Sequence, residues 1–269
     1  MQRKQKDIAL EAFISHYQVD RPVNWAAVFG REAPLDVEIG FGLGDFLLPY
    51  AVSVPERNVV GIEQDRECVR RTLEKTALLG KPPAQGIPAG NIRVLQIDAA
   101  VALERLFYPE SIERVFCLFP CPWPKKRHVK HRLFSRDFQV LLNNRLARGG
   151  KVVIVTDFLP YRDWILEEIP AEAFCLERKD GPARYNTKYE RKWRAGGQEE
   201  FFELHLYKKR HRDAPVKGDI PLQVYFAADF YPEKFVFEDY CREETAVVRK
   251  DFLYDACLLY TSDAADEED

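Results

Sequence analysis

Glycines and carboxylates with the spacing of a nucleotide-binding site follow three apolar segments in the first hundred residues. Residues 38–45 read EIGFGLGD, and the glycines allow the backbone to approach a ligand closely and then turn into a helix. Glu63 ends the second apolar segment, where a carboxylate can accept both ribose hydroxyls of an adenosine. Asp98, followed by Ala99, ends the third and can read the amino edge of an adenine. Taken singly, Glu63 is equally a strand-end carboxylate and Asp98 is equally a helix N-cap.

Together the three signals are more informative than any one of them. They fall at the ends of three successive predicted strands, where a single adenosine ligand would touch all of them. Dinucleotide enzymes usually carry GxGxxG, but the third glycine here comes one position early. This spacing favours S-adenosylmethionine over NAD as the ligand. The predicted cofactor residues on this side are Glu38, Gly40, Gly42, Gly44, Glu63 and Asp98.

A proline box joined to a basic block follows the fourth apolar segment. Residues 119–134 read FPCPWPKKRHVKHRLF, in a chain whose formal net charge is -3. Prolines fix the shape of a loop, and the Trp123 ring can stack on a base, although core packing is an equal alternative for it. A dense cluster of fixed positive charge in a mildly acidic chain favours a contact with an anion or a nucleic acid. The predicted contact residues are Trp123, Lys125, Lys126, Arg127, His128, Lys130, His131 and Arg132.

Composition excludes several classes. No apolar run reaches the roughly 20 residues that a membrane span needs, so no membrane association is expected. The charged N-terminus lacks an apolar stretch after it, as a secretory signal would require, which favours a cytoplasmic protein. The six cysteines form no CxxC pair and are expected to be reduced thiols. The spacing of Cys117, Cys121, His128 and His131 fits no common zinc finger, so no metal is predicted.

Apolar segments alternate with helical patterns from residue 35 to residue 169. This alternation predicts an α/β, Rossmann-like fold with a mainly parallel sheet and helices on both faces. One helix is expected to run from a Ser135 cap to Leu146 and to end at Gly149 and Gly150. The predicted strands are 35–39, 58–64, 92–98, 114–119 and 151–157, with a closing pair at 174–180 and 199–208; the predicted helices include 66–80, 99–107 and 161–169.

The chain divides into three predicted parts. Residues 1–208 form the α/β domain, and residues 209–256 form a small β-rich C-terminal extension. Residues 257–269 resemble the in-frame translation of a sequencing adapter and are expected to be a non-native tail. The sequence does not predict an oligomeric state.

Six short motifs occur in the order and at the distances typical of one family. They are EIGFG, GIE, the aspartate-alanine pair, FPxPWPKKRH, the threonine-aspartate pair at 156–157 and TKYE. In these motifs the chain resembles the bacterial tRNA (guanine-N7-)-methyltransferase family, over roughly Val23 to Lys208. The resemblance implies a Rossmann-like methyltransferase fold, S-adenosylmethionine as methyl donor and a variable-loop guanine of tRNA as acceptor.

The resemblance also implies roles for individual residues. Glu38, Glu63 and Asp98 match the family's cofactor residues, and Arg127 to Arg132 match its RNA-contact segment. Where the family has an aspartate that is assigned to catalysis and to the cofactor set, this chain has Cys121. The residues that match the family's substrate set are Lys125, Asp157, Thr187, Lys188, Tyr189 and Glu190, of which the last four are expected in a loop.

The missing aspartate leaves three readings open. Guanine N7 carries a free lone pair, so Asp157 and Glu190 could supply the charge that stabilises the cationic product while Cys121 only shapes the loop. The catalytic candidates are therefore Cys121, Asp157 and Glu190. A tRNA-binding protein with impaired catalysis is the second reading. The third is a cytosine C5 RNA methyltransferase in which Pro120-Cys121 supplies a nucleophilic thiolate.

Overall fold

A single sheet organises the residues that the computed structural model describes, which are 11–16, 19, 21–79 and 89–214. Seven strands form the sheet in these residues. They are β1 (Leu35–Ile39), β2 (Asn58–Glu63), β3 (Ile92–Gln96), β4 (Ile112–Leu118), β5 (Leu146–Thr156), β6 (Phe174–Arg178) and β7 (Phe202–Lys208).

The strand order is β3-β2-β1-β4-β5-β7-β6. Strands β1 to β5 pair in parallel, and β7 pairs antiparallel with both β5 and β6. The chain therefore moves outward from β1 to β3 and then returns to the other side of β1 to form β4. Such a reversal opens a crevice beyond the carboxyl ends of the two central strands. All five residues of β1 are buried, including the carboxylates of Asp36 and Glu38.

Helices connect the strands. Because crossovers between parallel strands are right-handed, the helices before and after the reversal lie on opposite faces of the sheet. The prediction of a mainly parallel α/β sheet is thus confirmed. The α-helices whose bounds lie within the described residues are α1 (Trp25–Phe29), α2 (Leu47–Ser53), α3 (Arg66–Leu79), α4 (Ala99–Leu106), α5 (Arg136–Arg145), α6 (Leu159–Glu168) and α7 (Lys188–Ala195), and short 3₁₀ helices lie at Ala89–Asn91 and Lys126–His131.

Local sequence accounts for the helix starts. The Ser135 hydroxyl accepts the Phe138 N–H at 3.5 Å and caps α5, as predicted. The Asp98 carboxylate accepts the Val101 N–H at 3.0 Å and caps α4, so the structural alternative for Asp98 is correct.

The predicted end of α5 at Gly149 and Gly150 is wrong. The helix ends at Arg145, and β5 begins immediately at Leu146, which pairs with Ile112. The two glycines lie inside β5, where the register with β4 shifts. Gly149 has a φ of 76°, and a Cβ on Gly150 would come within 3.0 Å of a carbonyl oxygen of β4. The glycines therefore permit an irregular strand rather than terminate a helix.

Two helices were not predicted. One is α1, and the other is α7, which begins directly after Thr187. The expectation that TKYE lies in a loop is wrong, because Thr187 caps a helix that contains the other three residues.

The described part of the C-terminal extension packs on the α/β domain. The Lys209 N–H donates to the Ala173 carbonyl at 2.8 Å, and the Arg212 N–H donates to Asn143 Oδ1 at 2.8 Å. The rest of the predicted extension and tail, from residue 215 onward, lies outside the described residues, as does most of the predicted loop at 81–91. In the described part of the chain, none of the helices has the length and apolar character needed to cross a membrane.

Gly44 provides a test of how tightly α3 packs against the glycine segment. A Cβ on Gly44 would lie 2.8 Å from Thr72 Cγ2, whereas a Cβ on Gly149 would meet nothing within 4 Å, and both residues have a positive φ. We expect Gly44→Ala to lower the free energy of unfolding by about 1–3 kcal/mol more than Gly149→Ala, because only the first adds overpacking to the backbone cost. Urea unfolding of both variants measures the difference. Equal losses would mean that Thr72 yields at no cost.

Candidate active site

The turn after β1 forms an open cradle. Gly40 and Gly42 have φ values of 71° and 52°, and a Cβ on either would meet no atom within 4 Å. The Gly42 N–H donates to Glu63 Oε2 at 2.8 Å, which ties the cradle to the end of β2. The Thr72 hydroxyl donates to the Gly42 carbonyl at 3.2 Å. Glu63 and Thr72 thus hold the backbone of Gly42. The open space beside Gly40 and Gly42 lets a ligand approach the backbone closely.

Glu38 is a buried carboxylate beside this cradle. Its exposure is 3%, and no protein hydrogen bond reaches its Oε2. Burial raises its pKa well above the ordinary value of 4.5, and the charges of Glu63 and Asp45 raise it further. A buried carboxylate oxygen without a partner is costly, and a cationic or hydrogen-bonding ligand would relieve that cost.

Glu63 and Asp98 lie at neighbouring strand ends, as predicted. Glu63 Oε1 accepts the N–H groups of Gln64 and Asp65 at 2.8 and 3.0 Å. Gln64 Nε2 donates to Asp98 Oδ2 at 2.6 Å and so bridges the two acids. Both side chains are partly exposed, so each can also accept from a ligand.

Asp45 joins the cradle to α7, a contact that sequence analysis did not anticipate. Arg191 Nη2 donates to Asp45 Oδ2 at 2.5 Å, and Lys75 Nζ approaches Oδ1 at 3.3 Å. Burial raises the pKa of Asp45, but the bonds and charges of Arg191 and Lys75 outweigh it and hold the pKa below its ordinary value of 3.8. The only sequence signal was the position of Asp45 directly after the glycines.

The loop after β4 carries the proline box in a fixed shape. Phe119 and Trp123 have φ values of 59° and 44°, which residues with side chains rarely adopt. The Phe119 N–H donates to the Val155 carbonyl at 2.8 Å and anchors the loop to β5. Cys121, between the two, is exposed. Trp123 is half-buried, with its ring centroid 5.7 Å from that of His128 and 5.3 Å from that of His131.

The basic segment that follows is mainly exposed. Lys125 precedes the short 3₁₀ helix, and the side chains of Lys125, Lys126, Arg127, Lys130 and His131 face solvent. Arg132 differs, because it is buried with 9% exposure. The predicted RNA contact of the exposed residues stays a prediction that their placement permits.

Asp157 follows β5 and is partly buried. Burial raises its pKa above the ordinary value of 3.8, while a hydrogen bond from the backbone and the positive charge of Lys192 oppose this rise. Gln198, just after α7, donates from its Nε2 to the Asp157 carbonyl at 3.2 Å, so the segment that follows α7 lies against the end of β5.

Glu190 is occupied by the backbone of its own loop. Its exposure is 1%, and its carboxylate accepts the N–H groups of Arg184 at 2.9 Å, Tyr185 at 3.1 Å and Thr187 at 3.0 Å. The Thr187 hydroxyl accepts the Glu190 N–H in return, which completes a capping box. The predicted contact of Glu190 with the guanine edge stays a prediction, and its observed contacts support a structural role instead.

Tyr189 lies where the elements of the site meet. It is 51% exposed, and its ring stacks on Phe119 with a centroid distance of 6.0 Å. Burial of its side chain raises its pKa above the ordinary value of 10.0, and the carboxylates of Glu63 and Asp157 raise it further.

The structure thus brings most of the predicted residues to one edge of the sheet. Glu63 ends β2, Cys121 follows β4, Asp157 follows β5, and Tyr189 on α7 stacks on Phe119 at the end of β4. Phe119 and Arg191 are contributors that sequence analysis missed. Neither carries a residue type that signals chemistry on its own, and their roles depend on contacts between distant segments.

Comparisons with known proteins agree with this geometry. Residues 32–203 match the family model described as "Putative methyltransferase". A solved 16S rRNA (adenine(1408)-N(1))-methyltransferase from Catenulisporales acidiphilia, a point mutant with cosubstrate SAM, matches with a TM-score of 0.51 and 19% identity over 74% of this chain and 95% of that chain. An antibiotic-related methyltransferase matches with a TM-score of 0.50 and 16% identity over 68% and 92% of the two chains. These likenesses show the fold, which is that of the Rossmann-like methyltransferases.

The sequence relatives are more specific. A tRNA (guanine-N(7)-)-methyltransferase of Chlorobium phaeobacteroides is 40% identical over 188 residues, which are 70% of this chain and 88% of the relative. The tRNA (guanine-N(7)-)-methyltransferase of Thermotoga maritima is 34% identical over 67% of this chain, and the match spans 56% of that relative. The chain belongs to the tRNA (guanine-N(7)-)-methyltransferase family. The resemblance seen in the motifs is thereby confirmed.

The raised pKa of Glu38 predicts that the free energy of unfolding falls as the pH rises. The neutral carboxyl is favoured in the folded chain, so its contribution to stability is present below its ordinary pKa of 4.5 and is lost as the pH rises through the higher folded value. We expect Glu38→Gln to gain unfolding free energy relative to the wild type as the pH rises from about 5 to about 8. Urea unfolding across this range measures it.

Glu56→Gln, a change at an exposed carboxylate, is the matched control and is expected to show no such trend. A constant difference between Glu38→Gln and the wild type at every pH would contradict the assigned shift.

Proposed function

We propose that the chain transfers a methyl group from S-adenosylmethionine to N7 of a guanine in the variable loop of tRNA. The observation that carries this proposal is a convergence on α7, where Arg191 binds Asp45 beside the glycine segment at 2.5 Å and the Tyr189 ring stacks on Phe119 of the proline box with a centroid distance of 6.0 Å. This convergence joins the acidic, glycine-lined side of the site to the loop that bears the basic segment. The activity named for the relatives supports the same reaction.

The donor side fits S-adenosylmethionine. The cradle at Gly40 and Gly42 is open, and the buried Glu38 Oε2 lacks a protein partner. Glu38 would hold a cationic group, Glu63 would accept ribose hydroxyls, and Asp98 would accept from the adenine. S-adenosylmethionine, when bound, supplies an electrophilic methyl group on a sulfonium. The role of Asp98 as the cap of α4 does not conflict with this, because its Oδ2 lies on the side of Gln64.

The acceptor side fits RNA. Exposed lysines and an arginine follow the proline box on the 3₁₀ helix, where they would neutralise phosphates without reading sequence. The half-buried Trp123 ring would contribute a face for stacking, worth about 1–3 kcal/mol per base. We therefore propose tRNA as the partner that docks across Lys125 to His131.

The chemistry at N7 requires alignment and charge rather than a base. The N7 lone pair carries no proton, so nothing has to be removed before the N–C bond forms as the S–C bond breaks. The purine becomes cationic, and a nearby carboxylate stabilises it. Asp157 would be the carboxylate that does this, since it directly follows β5 at this edge of the sheet and is partly buried. Glu190 would act through the loop that it folds.

The relatives do not favour the other two readings. A binding-only protein and a cytosine C5 enzyme each assign Cys121 a decisive role, whereas the matched family covers the whole described site. Both readings become outcomes of the first experiment.

The full chain, incubated with labelled S-adenosylmethionine and an unmodified tRNA transcript, is expected to label one variable-loop guanine. Reduction and strand scission at 7-methylguanine map the base. A transcript made with 7-deazaguanosine, which lacks the N7 lone pair, is the matched control and should take no label. Label on the 7-deaza transcript would point to another atom, and binding of both ligands without label would support the binding-only reading.

Substitutions at Cys121 test the proposal that a carboxylate stabilises the cationic product. We expect Cys121→Asp to raise kcat by about tenfold or more, because a second carboxylate would face the cationic product. Cys121→Ser preserves the size of the side chain and adds no charge, and it should leave kcat within about twofold of the wild type. Steady-state kinetics on the tRNA transcript measure both. A loss of more than about a hundredfold in Cys121→Ser would instead identify the thiol as a participant.

A further inference from the structure

Arg132 has the wrong environment for a phosphate contact. It is the last residue of the basic segment, yet its exposure is 9%, whereas Lys126 and Lys130 face solvent. Its Nε donates to the Pro122 carbonyl at 2.9 Å, and its Nη2 donates to the Trp123 carbonyl at 3.4 Å. Arginine is suited to such sites because its planar fork can serve two acceptors in one plane.

The same guanidinium lies against α6. Its Cζ is 5.3 Å from the centroid of the Tyr161 ring and 5.2 Å from that of Trp164. The two rings stack on each other, with centroids 5.8 Å apart, and Tyr161 is fully buried. A guanidinium over aromatic faces is held by cation–π attraction, which strengthens when water is excluded.

These contacts connect the proline box with α6. Trp123 adopts a positive φ of 44°, a backbone shape that a tryptophan does not hold unless its surroundings impose it. Arg132 holds the carbonyls of Pro122 and Trp123, and α6, on which it rests, begins two residues after Asp157. The position of the proline box relative to Asp157 therefore depends on Arg132.

We infer that Arg132 is a positioning residue for the acceptor pocket and not one of the RNA phosphate contacts. It fixes the turn that carries Cys121 and Trp123 against the helix that follows Asp157. The inference rests on the proposed function for its kinetic consequences, but its structural content does not require turnover.

The salt dependence of tRNA binding separates the two roles. Each phosphate contact contributes about 0.7–0.9 to the slope of log K against log salt concentration. We expect Lys130→Gln to reduce this slope by about that amount and Arg132→Gln to leave it unchanged. Arg132→Gln should lower kcat at least about tenfold, because a misplaced loop costs alignment.

Arg132→Lys and Trp164→Leu complete the test. Lysine restores the charge but not the planar fork, so a positioning role predicts that kcat stays low, whereas a phosphate contact predicts rescue. Trp164→Leu leaves all charges in place and should reproduce the loss of kcat with an unchanged slope. Arg162→Gln is the control, because Arg162 also lies on α6 with its Cζ 4.7 Å from the centroid of an aromatic ring, Phe202, and it should keep full activity.

Amide hydrogen exchange provides a measurement that is independent of methyl transfer. Faster exchange confined to residues 119–132 is expected in Arg132→Gln and Trp164→Leu. A reduced slope with retained kcat in Arg132→Gln, or full kcat in Trp164→Leu, would overturn the inference. If the wild type itself transfers no methyl group, the proposed function fails, and the slope and the exchange pattern still decide the role of Arg132.

Discussion

The site depends on one constraint, which is that β1 to β5 run in parallel and so end at the same edge of the sheet. The predicted functional residues lie near the ends of these strands, in the loops that follow them, or at and within α7, which contacts the glycine segment and the proline box. The order reversal between β1 and β4 separates the loops after the two strands and leaves a crevice. Glycines line the crevice on the β1 side, and the proline box lines it on the β4 side. All five residues of β1 are buried between its neighbours β2 and β4, so the two loops start from the centre of the sheet.

Charge divides across the crevice, although the chain as a whole is only mildly acidic. Glu38, Glu63 and Asp45 lie on the glycine side, where burial raises the pKa of Glu38 and the charges of the other two carboxylates raise it further. The exposed basic residues lie on the acceptor side. A cationic methyl donor would be attracted by the acidic residues and repelled by the basic ones. A polyanionic acceptor would be attracted by the basic residues and repelled by the acidic ones. The Asp45–Arg191 pair ties the glycine cradle to the helix that presents Tyr189.

The sequence predicted the elements whose signals are local. Strands such as 35–39 and the Asp98 cap follow from apolar runs and capping residues alone. The failures occurred where a residue has two local meanings. Paired glycines such as Gly149-Gly150 end helices but also permit irregular strands, and only pairing with β4 decides between them. The Thr187–Glu190 spacing is a capping box, and its match to a functional motif concealed that simpler meaning.

For the candidate site, residue types predicted positions better than roles. The sequence correctly predicted carboxylates and basic side chains near the strand ends, because topology fixes where a strand end lies. Whether a side chain faces a ligand or its own backbone depends on contacts between segments far apart in sequence. Glu190 and Arg132 both turn toward backbone groups, and no single-sequence pattern distinguishes them from their exposed neighbours.

The difference between residues that face a ligand and residues that bind backbone groups explains why an aspartate can be absent from the proline box without loss of its shape. The turn is set by the backbone of Phe119 and Trp123, by the anchor from Phe119 to Val155 and by the hold of Arg132. Cys121 is exposed and supplies none of these contacts. Under the proposed function the consequence for the reaction is electrostatic, and Asp157, on the neighbouring strand end, would be the carboxylate that offsets it.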